Sequence, residues 1–283
     1  MSRPAADRNA SYPRVLTIAG SDSGGGAGIQ ADLKTFAALG CYGMSALTAL
    51  TAQNTLGVRS IHGVPVEFVA DQIDAVAEDI GVDAVKIGML HAAPVVRTVA
   101  AALQRHRLAT VVIDPVMVAT SGATLIESGA LDALVRALFP LAMLITPNLD
   151  EAGLLVGRTL QTESDMEGAA QDLIAGGARA VLVKGGHLAS DTVSDLLLIP
   201  GTTPVWLRHP RIATGNTHGT GCTLSSAIAA FLALGSDLEQ AVRQAHAYVR
   251  EALIAGAGVR TGAGSGPLNH AHAPRPMQMR PLP

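Results

Sequence analysis

The chain contains few aromatic and few charged side chains, which make up 3% and 15% of its 283 residues. Its two cysteines are far apart, which excludes a disulfide framework, and no Cys/His spacing is typical of a metal site. The net charge of -3 provides no basic field for nucleic acid and no cationic membrane face. The first 14 residues lack the apolar run of a signal peptide, and no stretch is long enough to span a bilayer. We therefore expect a cytoplasmic protein that binds neither nucleic acid nor membranes.

Aliphatic side chains are abundant, and they follow an alternating pattern. Hydrophobic residues make up 48% of the sequence. Short, almost continuously apolar runs predict strands over 15–19, 44–50, 84–87, 111–113, 143–145, 180–183, 193–199 and 205–207. Longer patterns of helical period predict helices over 29–39, 66–80, 94–105, 129–138, 164–175, 222–234 and 238–255. This alternation predicts the α/β class, as a three-layer α/β/α sandwich around a central, mostly parallel sheet.

The sequence predicts a single domain, because no linker-like segment divides it. We expect this domain to cover residues 14–261, after a flexible N-terminal extension over 1–13. Residues 262–283 are rich in glycine, proline and histidine, and we expect them to form a loose C-terminal tail.

Polar or glycine-containing segments lie at the ends of five predicted strands. They include Gly20, Lys86, Asp114, Asn148 and Lys184. In open parallel sheets, ligands bind at the carboxyl ends of the strands. The sequence therefore predicts a binding site at this edge of the sheet.

The segment NTHGTGC, residues 216–222, is a glycine-bearing turn that leads into an apolar helical pattern. The free N–H groups and the positive dipole of a helix N-terminus attract anions, so Gly219, Thr220 and Gly221 are candidate phosphate ligands. Cys222 lies at the same point, where a helix N-terminus can lower the pKa of a thiol. It is a candidate base, and the alternative is a buried thiol without a catalytic role.

Two further features allow both a structural and a functional interpretation. The segment GSDSGGGAG, residues 20–28, fits neither the dinucleotide-binding nor the Walker pattern, and is either a flexible turn or part of a site. Asp32, in the helix that follows, either stabilises the helix dipole or accepts hydrogen bonds from a ligand.

Four residues at the other strand ends are also open to two interpretations. Asn148 and Glu151 form a capping box at the start of a helix, or Glu151 holds a hydrated Mg²⁺ near phosphates. Lys184, followed by two glycines, is a solvated lysine or a point charge that meets a phosphate. Asp114 is a turn carboxylate, or it orients metal-bound water or balances the lysine charge.

Seven ordered motifs together resemble the hydroxymethylpyrimidine/phosphomethylpyrimidine kinases, which are thiamin-synthesis enzymes of the ribokinase-like superfamily. The motifs are GSDSGGGAGIQADLK (20–34), TALTAQNT (48–55), KIGML (86–90), DPV (114–116), TPN (146–148), VKGGH (183–187) and NTHGTGC (216–222). The resemblance covers the chain from about residue 14 to 260 and leaves out the extension and the tail.

The resemblance implies an ATP-dependent kinase that converts 4-amino-5-hydroxymethyl-2-methylpyrimidine to its monophosphate and then to the diphosphate. It also implies Mg²⁺ as the ion that accompanies ATP, and a homodimer. The matching positions are Gly20, Asp32, Gln53 and Met89 for the pyrimidine, Asn148, Lys184 and Thr214 for ATP, Glu151 and Asp114 for the metal, and Lys184, Gly219, Thr220, Gly221 and Cys222 for catalysis. Cys222 stands where many ribokinase-like sugar kinases carry an aspartate base.

Two other functions are compatible with these motifs. Some enzymes of similar sequence phosphorylate pyridoxal or pyridoxine, whose ring also carries a hydroxymethyl group. The amide of Gln53 both donates and accepts, which favours an aminopyrimidine. The second alternative is a non-catalytic small-molecule sensor, because a fold does not determine a function. A sensor does not need Asn148, Glu151, Lys184 and Cys222 together, so the sequence favours an enzyme.

Overall fold

A nine-stranded sheet lies at the centre of the computed structural model, which describes residues 10–117, 125–127 and 129–281. Most of the predicted extension over 1–13 therefore lies outside the described residues. The strands are β1 (Ala10–Ser11), β2 (Arg14–Asp22), β3 (Tyr42–Asn54), β4 (Gly57–Gly63), β5 (Ala84–Ile87), β6 (Val111–Ile113), β7 (Leu144–Ile145), β8 (Val181–Val183), β9 (Thr192–Leu198), β10 (Val205–Pro210) and β11 (Arg280–Pro281). Strands β1 and β11 pair with each other outside the main sheet.

Six neighbouring strands of the sheet run parallel, in the order β8, β7, β6, β5, β2 and β3. Antiparallel pairing adds β9 and β10 at one edge and β4 at the other. The register aligns Ile18 with Ile87 and Ile87 with Ile113, so the carboxyl ends of β2, β5 and β6 lie side by side. The prediction of a mostly parallel sheet is confirmed.

Eight α-helices flank the sheet within the described ranges. They are α1 (Gly28–Ala38), α2 (Val66–Asp79), α3 (Ala93–Arg105), α4 (Ala130–Ala133), α5 (Leu149–Val156), α6 (Glu163–Ala175), α7 (Thr220–Ala233) and α8 (Leu238–Gly256). The predicted helix over 129–138 is only partly an α-helix, since α4 continues as a π-turn over Leu134–Leu138. Pro140 follows in a 3₁₀ turn, where its missing N–H cannot extend the helical ladder. Crossing a bilayer requires a length of apolar helix that none of the described helices offers.

Successive side chains of the buried strands point to opposite faces, and this divides the hydrophobic core in two. Leu16 and Ile18 of β2 pack with α2, α3, α5 and α6 on one face. Val15, Val112 and Leu144 pack with α1, α7 and α8 on the other face. Helices therefore cover both faces of the sheet, which confirms the predicted three-layer sandwich.

The C-terminal residues pack against the domain. Leu268 and His270 are buried, with 4% and 5% of their surface exposed. The N–H groups of Arg275 and Gln278 donate to carbonyl oxygens near the end of α1. This packing differs from the loose tail expected over 262–283, because single buried residues in an irregular segment leave no periodic signal in the sequence.

Candidate active site

A cavity of about 740 Å³ lies at the carboxyl ends of the parallel strands. Its lining includes Gly20, Lys86, Asp114, Asn148 and Lys184, the residues singled out at five strand ends. They meet there because the carboxyl ends of parallel strands share one edge of the sheet. The predicted position of the binding site therefore coincides with the cavity.

The turn before α7 offers backbone donors to the cavity. Gly219 has a φ of +83°, and a Cβ at this position would collide with the carbonyl oxygen of Gly26. Only glycine lets the turn approach the glycine-rich segment this closely. Within the described ranges, the N–H groups of Gly221 and Cys222 have no backbone acceptor, and both residues line the cavity. The start of α7 can therefore bind an anion.

Lys184 connects this helix start to two carboxylates. Its Nζ donates to Asp114 Oδ1 at 2.7 Å and lies 3.9 Å from Glu151 Oε2. A Cβ on Gly221 would lie 3.0 Å from the same Nζ, so the ammonium group is next to the first turn of α7. Burial disfavours the charged lysine, but Asp114 and Glu151 outweigh it and raise the pKa of Lys184. Lys184 is thus a fixed positive charge of the kind that binds phosphate.

Asn148 and Glu151 form the capping box of α5 that their spacing predicts. The Asn148 side chain accepts from the Glu151 N–H at 2.9 Å, and the Glu151 carboxylate accepts from the Asn148 N–H at 2.8 Å. Both residues also line the cavity. The structural interpretation of this pair is confirmed, and its contact with Mg²⁺ and ATP stays a prediction.

The carboxylates of Glu151 and Asp114 fit a Mg²⁺ ion. Burial raises the pKa of Glu151 to about 7; Lys184 opposes this shift and Asp114 adds to it. Two buried carboxylates thus share one ammonium group. Mg²⁺ prefers oxygen ligands and usually keeps several waters while bound by one or two carboxylates. This donor set matches that preference.

Cys222 lies at the cavity, but its thiol is not acidified. Burial raises the pKa of Cys222 to about 11, with Asp32 and Asp114 adding to the effect, while Lys86 and the N–H of Gly28 lower it. The expectation of a lowered pKa at the helix N-terminus is therefore wrong, because desolvation disfavours the thiolate more strongly. Cys222 is a neutral thiol at neutral pH.

Asp32 lies outside the lining of the cavity. Its fully buried carboxylate accepts from Lys86 Nζ at 2.9 Å, Thr17 Oγ1 at 2.6 Å and Ser226 Oγ at 2.7 Å. Because these groups enclose it, the structure does not support the predicted direct contact between Asp32 and the pyrimidine. Lys86 lines the cavity. Burial alone would lower its pKa, but the charge of Asp32 has the larger opposite effect, so the pKa is raised and Lys86 is charged.

The other predicted pyrimidine-binding residues do line the cavity. They are Gly20, Gln53 and Met89. A Cβ on Gly20 would come within 2.5 Å of Met89 Cε, so the glycine makes room for the methionine. These three residues therefore occupy the same cavity as Lys184 and the start of α7.

Asp22 and His218 lie in two of the motifs without an assigned role, and in the structure they form a pair at the cavity. The Asp22 carboxylate accepts from His218 Nε2 at 2.9 Å and from the N–H groups of Gly24, Gly26 and Ala27 at 2.7, 3.1 and 2.8 Å. Burial raises the pKa of Asp22, but these donors outweigh it and lower the pKa. The glycine-rich segment thus folds around a carboxylate of the chain itself. An Asp before glycines indicates such a turn in the sequence. The bond from His218 to Asp22 joins residues 196 positions apart, so no local pattern indicates it.

Thr214 and Thr220 also line the cavity. Thr214 Oγ1 accepts from the Asn216 N–H at 3.0 Å, and Thr220 Oγ1 donates to the Thr217 carbonyl oxygen at 2.7 Å. Both hydroxyls stabilise the turn before α7. The predicted contact of Thr214 with ATP stays a prediction.

The fold and the cavity define a kinase of the ribokinase-like class. Among solved structures, the pyridoxal kinase of Bacillus subtilis, an ADP complex, is 38% identical to the chain with a TM-score of 0.84, over 93% of this chain and 98% of that one. Residues 22–269 match the phosphomethylpyrimidine kinase family. The chain belongs to that family.

Two curated relatives agree with this assignment. The thiamine biosynthesis bifunctional protein ThiED of Geobacter sulfurreducens is 54% identical over 267 residues, which cover 93% of this chain. The chain spans only 54% of the length of that protein. The hydroxymethylpyrimidine/phosphomethylpyrimidine kinase of Rhizobium meliloti is 52% identical over 259 residues, which cover 91% of this chain and 97% of that protein.

Proposed function

We propose that the chain transfers the γ-phosphoryl group of ATP to the hydroxymethyl oxygen of 4-amino-5-hydroxymethyl-2-methylpyrimidine, and then phosphorylates the monophosphate to the diphosphate. One observation carries this proposal. One cavity is lined by two sets of groups. The first set is Lys184, its two buried carboxylate partners and the free N–H groups at the start of α7. The second set is Gly20, Gln53 and Met89. Groups suited to phosphates and groups suited to a flat ring thus share one space.

On the phosphate side, the cavity acts through charge and position. Phosphoryl transfer passes through a loose transition state, with negative charge spread over three equatorial oxygens. The N–H groups of Gly221 and Cys222 would donate to these oxygens, and Lys184 would place its positive charge beside them. Because these donors are already oriented, they lower the barrier without reorganising during the reaction.

We propose that Glu151 and Asp114 hold Mg²⁺ next to the phosphates. When bound, Mg²⁺ neutralises charge on the polyphosphate. Lys184 and Thr146 both donate to Asp114 Oδ1, at 2.7 and 3.1 Å, and so fix the orientation of this carboxylate.

On the ring side, hydrogen bonding decides the orientation of the Gln53 amide. One end of the Gln53 amide lies 3.4 Å from His218 Nε2. Because this nitrogen carries a proton, which it donates to Asp22, that end must be the accepting oxygen. The other end lies 3.2 Å from Thr51 Oγ1. Because this hydroxyl donates its proton to the Ser21 carbonyl oxygen at 2.9 Å, that end must be the donating nitrogen. We therefore assign the amide with its oxygen toward His218 and its nitrogen toward Thr51. One N–H and one lone pair then stay available for the edge of an aminopyrimidine.

We propose that Cys222 accepts the proton of the substrate hydroxyl as the hydroxyl oxygen attacks the γ-phosphorus and ADP leaves. Only the thiolate can act in this way, and with a pKa of about 11 it is a minor form at neutral pH. Lys86 lowers this pKa. Asp32 holds Lys86 in place rather than touching the ring, and its own charge opposes the effect of Lys86 on the pKa of Cys222.

We further propose that the enzyme works in the cytoplasm as a homodimer. Both cysteines are free, as a reducing compartment requires. The antiparallel edge strand β4 lies beside Leu50 and Leu56, which are large exposed apolar side chains. An exposed edge with apolar neighbours supports pairing with a second copy of the chain, and sedimentation analysis tests it.

A product assay tests the proposed reaction. The protein is incubated with Mg-ATP and the hydroxymethylpyrimidine, and the monophosphate and diphosphate are followed over time by chromatography. We expect the monophosphate first and the diphosphate after it. Pyridoxal is assayed in parallel, and a far larger kcat/KM for pyridoxal would replace the proposal by a pyridoxal kinase. No consumption of ATP with either ring would favour the sensor.

A further inference from the structure

The predicted loose tail contains a segment that holds the turn before α7. We call residues 264–270 the C-terminal brace. Its Ser265 Oγ donates to the Gly215 carbonyl oxygen at 3.0 Å, and its Gly266 carbonyl oxygen accepts from the His218 N–H at 3.0 Å. A Cβ on Gly266 would collide with the Asn216 side chain, so the brace and the turn are in close contact.

His270 extends this contact to the first turn of α7. Its Nε2 lies 3.0 Å from Thr223 Oγ1, and the same hydroxyl lies 2.8 Å from the Gly219 carbonyl oxygen. Thr223 has one hydroxyl proton. When it donates this proton to Gly219, His270 Nε2–H donates to the hydroxyl. The two bonds form a chain from the brace through Thr223, which directly follows Cys222, to Gly219, the N-cap residue of α7.

The protein holds His270 firmly in this place. The residue is 5% exposed, and the Tyr248 hydroxyl donates to its carbonyl oxygen. The neighbouring Asn269 N–H donates to Ala252 of α8 at 3.2 Å, and Leu268 is inserted into the core of α7 and α8. Burial, with Lys34 adding to it, lowers the pKa of His270 to about 4, so the ring is neutral at physiological pH. A neutral ring carries one N–H, and the bond from Thr223 to Gly219 places this N–H on Nε2.

We propose that His270 is a positioning residue for phosphoryl transfer: through Thr223 it fixes the backbone of Gly219, and with it the N–H groups of Gly221 and Cys222. The inference rests on the proposed function, in which those N–H groups donate to the phosphoryl oxygens of the transition state. His270 is absent from the cavity lining and therefore acts only through the helix start.

The first test compares His270→Leu, which removes the donor, with His270→Gln, which keeps one. We expect His270→Leu to lower kcat up to about tenfold, the loss of one hydrogen bond, with the KM for the pyrimidine unchanged. His270→Gln should recover most of it. His272→Leu is the matched control, since His272 lies two residues after the brace and its ring contacts that of Tyr248 at 5.0 Å and 42°, while its Nδ1 bonds to the Asn269 carbonyl oxygen rather than to α7. Each kcat is measured well below the melting temperature of the variant. An unchanged kcat in His270→Leu would overturn the proposal.

The second test approaches the chain from its other end. Thr223→Val removes the hydroxyl at nearly constant volume, and we expect the double variant His270→Leu/Thr223→Val to be no slower than the worse single variant. Additive losses would contradict a shared chain of bonds. Hydrogen–deuterium exchange of the bonded N–H groups of Thr220 and Thr223 gives a readout without substrate, and it should rise in His270→Leu and not in His272→Leu. If the wild type phosphorylates no ring while exchange rises as expected, the proposed function fails and the contact between brace and helix stands.

Discussion

At the scale of single residues, charge balance links stability to catalysis in this site. Lys184 faces Asp114 and Glu151, whose exposed fractions are 2% and 5%. Removing one member of a buried ion pair is costly because it leaves an unpaired charge, typically by about 3–5 kcal/mol. A loss of activity at these positions must therefore be separated from a loss of folding.

The first prediction separates the two effects at Lys184. We expect Lys184→Met to lower the free energy of unfolding by about 3 kcal/mol, because Asp114 is left unpaired, and to reduce turnover strongly. The double variant Lys184→Met/Asp114→Asn should regain part of the stability, since only Glu151 of the two buried carboxylates is then left without the ammonium group, but none of the turnover. Urea denaturation and kcat measure the two quantities. Full turnover in the double variant would remove Lys184 from the catalytic residues.

The second prediction concerns the pH dependence of Cys222. Its pKa is raised to about 11, so its thiolate fraction grows as the pH rises toward that value. We expect kcat of the wild type to increase between about pH 7 and 9, and Cys222→Ala to lose about 100-fold in kcat together with this increase, while it still binds ATP. The same upward slope in Cys222→Ala would show that another group is the base.

At the scale of elements, the start of α7 combines a tight turn with the binding of an anion. Gly219 approaches Gly26 across the turn, and Gly221 approaches Lys184. The helix start is therefore fixed by contacts on both sides before any ligand arrives. Glycine is needed at position 219 both for its positive φ and for the space beside it.

The third prediction tests this with two glycines that flank the same helix. Gly219 and Gly235 have φ of +83° and +96°, but a Cβ on Gly235 would meet nothing within 4 Å. Gly235→Ala should cost about 1 kcal/mol of unfolding free energy from backbone strain alone and keep its turnover. Gly219→Ala should cost more and lose turnover, because its Cβ displaces the segment at Gly26. Equal turnover in the two variants would contradict the role of the helix start.

The main sheet could be predicted from the sequence wherever strands are buried on both faces. The bounds of β5 and β6 agree with the predicted 84–87 and 111–113, because continuous apolar runs mark such strands. Strand β4 was missed, since none of its residues is fully buried and its two aliphatic residues, Val58 and Ile61, form no continuous apolar run. The brace was missed for a related reason, as Leu268 and His270 are buried one at a time.

The residues of the candidate site that lie at strand ends could be predicted from the sequence. Lys184, Asp114 and Gly20 meet because parallel strands bring their carboxyl ends together. The enclosure of Asp32 by Lys86 depends on contacts between residues 54 apart in sequence, and the raised pKa of Cys222 depends on burial. Neither is visible in a motif.

At the scale of the whole molecule, the C-terminal residues complete one of the two cores. Leu268 packs with α7 and α8. Residues from Arg275 onward bond to the end of α1, to β1 and to Asp83, and Arg275 lies over the Phe231 ring of α7 at 5.5 Å. The two parts of the predicted tail therefore differ in what they contribute. The inner part belongs to the core, and the outer part lies on the surface.

The fourth prediction compares two truncations. A chain that ends after residue 274 should keep its turnover and lose little stability, because it retains Leu268 and His270. A chain that ends after residue 261 should lose both, since burial of Leu268 alone contributes about 2 kcal/mol and the support of the α7 turn is gone. Urea denaturation and kcat distinguish the two. Full stability of the shorter chain would show that the tail is dispensable.

The pairing of β1 with β11 also bears on how the domain can be joined to others. Arg280 of β11 forms an ion pair with Asp83, which directly precedes β5, so both ends of the described chain meet at the amino edge of the sheet. The cavity opens at the opposite edge. A protein fused before residue 10 or after residue 281 would therefore leave the cavity free. A short peptide could also connect the two ends, which makes the domain suitable for circular permutation or for insertion into a loop of another protein.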